Sequence, residues 1–114
     1  MNEVTKAYVA SVPDEQKTRW AYLALADFLE LKDALMRLDR ELPGWWWTLG
    51  LCHMSADARI GPDMTGPDAD LLEIFDDGFD GSMEYPASPS EALNSAIDMA
   101  LEAKSRIKQE VPRP

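Results

Sequence analysis

At Pro43-Gly44 the chain changes periodicity, and this break limits what it can fold into more than any other feature. Before it, Trp20, Leu23, Ala24, Phe28, Leu31, Leu35, Leu38 and Leu42 recur at steps of three and four, which lines them along one face of an α-helix. After it, Trp45-Trp46-Trp47-Thr48-Leu49 opens a run of aromatic and aliphatic residues of the kind that strands prefer. A chain that switches from period 3.6 to period 2 belongs to a mixed class.

The rest of the chain fills in that outline. Ser11-Val12-Pro13-Asp14 reads as a helix start, with a capping hydroxyl, a proline tolerated in the first turn, and Asp14 and Glu15 favourable to the macrodipole. The spacing predicts a helix over 14–42, with Arg37 and Arg40 suiting its C-terminal end. Leu25 and Leu29 add a second apolar edge, as a bend near the middle would require. Residues 1–10 read as a flexible lead or a short extra helix.

Over 45–60 the pattern predicts two strands or one strongly bent strand. Trp45, Trp47, Leu49 and Leu51 share one parity, whereas Cys52, Met54, Ala56, Ala58 and Ile60 share the other. A one-residue slip of the inward face needs a bulge, a bend or a tight turn between Gly50 and His53. Gly61-Pro62-Asp63 and Gly66-Pro67-Asp68 are turn signals, and 61–86 reads as an acidic loop containing a third strand between Phe79 and Tyr85. Residues 70–75 fit a strand or a helical turn equally well. Ser88-Pro89-Ser90-Glu91 is a capping box with proline at the first helical position, and a helix over 89–110 follows. Leu93, Ala96, Ile97, Ala100, Lys104 and Ile107 lie along one side of it, and Glu102 and Arg106 are spaced for an i, i+4 pair. The architecture expected is α+β: a two-layer helix–antiparallel sheet–helix domain spanning 1–114.

Composition agrees with a single folded domain. The 114 residues are 46% apolar, with four Trp, too hydrophobic for a disordered acidic tail despite a formal charge of −10. One cysteine, Cys52, permits no intrachain disulfide, so a cytoplasmic setting is expected. No apolar run approaches the ~20 residues that span a bilayer, and the N-terminus lacks the pattern of a secretory signal.

The charge is regional. Between Arg59 and Lys104 there is no Lys, Arg or His, while the same stretch holds 11 of the 21 acids. A one-signed region attracts cationic partners and repels nucleic acid. Asp63, Asp68, Asp70, Asp76, Asp77 and Asp80 are therefore the candidate partner-binding residues, complementary to a basic protein surface. Trp46 joins them as an apolar anchor: strand neighbours diverge, so Trp46 points away from Trp45 and Trp47, and Trp is enriched at binding hot spots.

Enzymatic and metal chemistry find little support. Cys52 and His53 are adjacent and diverge in a strand, so they cannot act as a nucleophile–base pair, and no Gly-x-Ser-x-Gly elbow is present. One Cys and one His cannot supply a zinc site. Calcium suits the loop aspartates better, but Asp76-Asp77-Gly78-Phe79-Asp80-Gly81 lacks the alternating ligands and closing Glu of an EF-hand. No cofactor is expected.

The stretch PGWWWTLGLCHMSADARIGPD, then Phe75-Asp76-Asp77-Gly78-Phe79 and SPSEALNSAIDMALEA, resembles a group of small uncharacterised phage and prophage proteins of alphaproteobacteria over residues 43 to about 104. The layout is also similar to phage helix–sheet–helix sandwich domains. The resemblance implies a phage-associated origin and a bacterial host cytoplasm, and no ligand or catalytic residue. With that origin, the expected function is non-enzymatic: binding a host protein and inhibiting a nucleic-acid-handling defence complex, whose channels are positively charged. The alternative is a structural or accessory phage protein acting as a homo-oligomer, its acidity serving solubility.

Overall fold

The computed structural model describes residues 2–51 and 54–110. Among these residues three helices, α1 (Glu3–Ser11), α2 (Asp14–Glu41) and α3 (Pro89–Glu110), accompany four strands: β1 (Trp46–Leu51), β2 (Ser55–Gly61), β3 (Phe79–Asp80) and β4 (Met83–Glu84). The sheet is antiparallel, with β2 between β1 on one side and β3 and β4 on the other. β3 and β4 are two pieces of one interrupted strand, since β3 pairs with Arg59 and Ile60 and β4 with Ser55 and Ala56. The class is α+β, as the change of periodicity implies.

The slip of inward parity resolves as a hairpin. The two strands pair antiparallel with Leu51 opposite Ala56, so odd positions of β1 share a face with even positions of β2. The readings placed on Cys52 and His53 fall outside the described residues. Pairing of Trp47 with Ile60 and of Leu49 with Ala58 puts these four on the face turned to α3; Trp46, Thr48, Asp57 and Arg59 take the opposite face, away from α3. Trp45 lies before the strand.

Helix bounds follow local chemistry. At α3 the capping box closes both ways: the Ser88 amide donates to Glu91 Oε2 at 3.0 Å, and the Glu91 amide to Ser88 Oγ at 3.3 Å. The Arg106–Glu102 pair also forms, at 2.5 Å. At α2 the expected cap does not form. Pro13 occupies the N-cap, and the Ser11 hydroxyl donates to the Tyr8 carbonyl at 2.6 Å, finishing α1 instead. A serine hydroxyl in a helix's last turn can donate to the carbonyl three residues back, a local bond that competes with capping the next helix. Gly44, at φ +79°, then turns the chain from α2 into β1. Residues 70–75 form no strand: a 3₁₀ turn at Ala69–Leu71 runs on through further turns to Phe75.

The core is the meeting of α3, β2 and the last third of α2. Leu42, Ile60, Leu93 and Ile97 are fully buried, each contributing up to ~1.5–3 kcal/mol. Ala92, Ala96 and Ala100, one turn apart, let α3 lie close to the sheet. Gly81 completes that approach, its amide donating to the Ala58 carbonyl at 2.8 Å. Arg37 ties α2 to α3, donating to Asn94 Oδ1 at 2.9 Å and Asp98 Oδ1 at 2.6 Å while also pairing with Glu41 at 2.6 Å. The Asp98 hydrogen bond, ahead of the opposing effect of burial and aided by Glu41, holds the guanidinium even more firmly protonated than usual.

α2 outruns this core. Its 28 residues span about 42 Å, whereas among its described side chains Ala34 and Leu38 are buried, as is the C-cap Leu42, with Leu31 and Leu35 partly covered. Phe28, part of the same stripe, is exposed; the side chains of Trp20, Leu23 and Ala24 lie outside what the structure describes. The molecule measures 67 × 24 × 24 Å. The apolar period marks a helix face correctly, but the domain supplies cover for only part of it.

Candidate functional site

The loop joining β2 to β3 is held in place by one carboxylate. Asp68 Oδ2 accepts from the Trp45 indole Nε1 at 2.8 Å and from Lys104 Nζ at 2.9 Å. The Asp68 and Lys104 side chains are only 18% and 20% exposed. This bond triangle joins the start of β1, the loop and α3. Two further contacts pack it. The Trp45 ring stacks on Phe79 with centroids 6.0 Å apart, and Phe79 meets Phe75 at 4.9 Å. Gly44 and Gly66 lie back to back, so that a Cβ on Gly44 would sit 3.0 Å from Gly66 Cα.

Of the candidate residues, Asp68 is therefore occupied inside the fold. Asp80 is engaged too. It faces Arg59 across the open face of the sheet at 3.5 Å and accepts from the amide and the hydroxyl of Ser82. The Ser82 hydrogen bonds, ahead of the weaker effect of Arg59, hold its carboxyl below the ordinary aspartate value. A depressed folded value stabilises above the unfolded pKa of about 3.9 and is lost as pH falls through the folded one. Asp80→Asn should accordingly be less stable than wild type at neutral pH, with the gap closing in thermal melts as the pH falls beneath the ordinary aspartate value and through the lower folded one. A gap independent of pH would remove Asp80's charge from the account.

Asp63, Asp70, Asp76 and Asp77 remain, joined by Glu73. None of these five carboxylates forms an ion pair among the described residues. Asp63 is half-buried and the other four are exposed. All lie within the one loop over 62–78, whereas Asp80, Asp98 and Glu102 are matched by Arg59, Arg37 and Arg106. Trp46 is less free than its place on the sheet face away from α3 suggests. Its ring lies across Gly61 and Gly78, where an added Cβ would come within 2.6 Å and 2.9 Å of ring carbons.

Of Trp45, Trp46 and Trp47, the last is the indole offered to solvent, on the side of the helices. With Phe28, Leu31, Leu35, Met36 and Trp45 it borders an open, mostly apolar groove of about 440 Å³, with Lys32 and Asp39 at the rim. The strand alternation separates Trp46 from Trp47, but which of the two stays open depends on the two glycines that receive Trp46.

Among the described residues no three His, Cys, Asp or Glu side chains group in a way that would hold a metal ion. No helix among them is long and apolar enough to cross a membrane. No family model matches the chain, and neither the curated proteins nor the solved structures searched contain a match.

Proposed function

We propose that this chain is a non-enzymatic binding protein of phage type whose loop over 62–78 docks on a basic surface of a host protein, inhibiting a nucleic-acid-handling complex. The supporting observation is the five carboxylates without ion pairs on a loop clamped by Asp68. A pre-positioned acidic surface loses little entropy on docking, and its field speeds encounter. The partner class is a protein channel or groove lined with Lys and Arg.

Two tagged baits test this in nuclease-treated bacterial host lysate: wild type and Asp70→Asn/Asp76→Asn/Asp77→Asn. A basic nucleic-acid-handling protein should be retained by wild type, released by moderate salt and lost from the variant. With that protein purified, neutralisation should slow association roughly tenfold at low salt and flatten its salt dependence. Equal association by both baits across a salt series would defeat the proposal.

The second reading, a structural or accessory homo-oligomer, is favoured by the apolar surface left open along α2.

A further inference from the structure

We infer that α2 is a homodimer interface in which two copies pair antiparallel about Phe28, each laying the N-terminal half of its α2 along the other's groove beside Trp47. The inference rests on the self-association reading and specifies its geometry. It leaves the acidic loop free.

Three observations carry it. The first is uncovered apolar surface in one place. Leu25, Phe28, Leu29 and Met36 on α2 are 56%, 60%, 48% and 56% exposed, and Trp47 across the groove is 48% exposed. Phe28, Lys32, Leu35 and Asp39 follow steps of four, three and four, the spacing of a helix–helix seam, with Leu25, Leu29 and Met36 along its edge. Pairing along about 42 Å of helix reaches the scale of ~1,200 Å² at which specific interfaces begin.

The second is charge. Residues 1–41 carry eight acids and six bases, against 13 and five in the remainder. The open apolar face therefore sits on the nearly balanced part of the chain, which tolerates its own copy. A strongly acidic face would repel it.

The third is register. Lys17 lies eleven residues before Phe28 and Asp39 eleven after it. A two-fold axis at Phe28 brings Lys17 of each copy opposite Asp39 of the other, forming the same contact twice, as an isologous dimer requires. Asp39 stands on the groove rim with no ion pair among the described residues. Lys17 has a 3.7 Å pair with Asp14. A parallel arrangement would instead set Lys17 beside Lys17.

Sedimentation velocity on the full chain over a wide concentration range, with circular dichroism to verify folding, is the test. Wild type should sediment as a concentration-dependent dimer. Phe28→Asp alters a side chain exposed in the single chain, so it should fold normally and weaken dimerisation at least ~30-fold. Lys17→Glu and Asp39→Lys should each weaken it roughly threefold to tenfold, and the double variant should restore wild-type affinity to within about threefold. A monomer at all concentrations overturns self-association itself. A dimer indifferent to Phe28→Asp, or losses that simply add in the double variant, overturns this geometry while leaving an oligomer standing. A monomer that instead binds an added amphipathic peptide in the groove overturns the dimer and assigns the face to another protein.

Discussion

Asp68→Ala should lower the stability of this domain by about 3 kcal/mol, a large part of the ~5–15 kcal/mol typical of a whole domain. The substitution leaves two groups stranded. The Lys104 ammonium, mostly shielded from water, loses its counter-charge, and the Trp45 indole N–H loses its acceptor. Breaking one side of a buried pair costs more than the pair contributes, because the remaining charge stays desolvated. For a chain of this length, the thermal midpoint should fall by roughly 10–15 °C. Asp68→Asn, which keeps an acceptor for the indole, should lose about half as much. Adding Lys104→Met to it should recover part of the loss. Urea titrations followed by circular dichroism can rank all four proteins. A loss below about 1 kcal/mol for Asp68→Ala would mean that the loop is held by its aromatic and glycine contacts alone.

Gly81→Ala should be at least as damaging, by about 3 kcal/mol or more. A Cβ at this position would stand 2.5 Å from the Ala96 amide nitrogen and press on the Ala92 carbonyl, both parts of the α3 backbone. A helix backbone cannot yield as a flexible side chain can, so α3 would have to lift from the sheet along the Ala92, Ala96 and Ala100 seam. Gly50→Ala is the control. There the added Cβ meets only Asp57 at an ordinary 3.7 Å, and stability should hold or rise by a few tenths of a kcal/mol. Equal midpoints for the two variants would show that the sheet and α3 are not in the close contact described.

Where the structural outcome depends on neighbours in sequence, the chain is readable. The capping box at Ser88 and Glu91, the proline start of α3, the turn at Pro43-Gly44 and the parity slip across the hairpin all act within a few residues. Long-range partners are another matter. Nothing in a run of six aspartates marks Asp68 as the one that meets Lys104, 36 residues away, while Asp70 stays in water. Likewise Arg37 looks like a residue placed for the helix dipole, whereas its main partners sit 57 and 61 residues on. Helical periodicity shows that Phe28 and Leu31 share a face. It is silent on where the domain's cover stops, which is why the open stretch of α2 becomes visible only with the fold assembled.

Three consecutive tryptophans have also been sorted into three surroundings: Trp45 buried with a carboxylate acceptor, Trp46 laid over two glycines on the sheet face away from α3, and Trp47 half open in the groove. Optically, the protein arrives with its labels already installed. Replacing the other indoles by phenylalanine one set at a time would leave emission bands that report separately on the loop clamp, that sheet face and the groove. A collisional quencher should reach Trp47 first and Trp45 last, so one emission spectrum per ligand would show which surface that ligand covers.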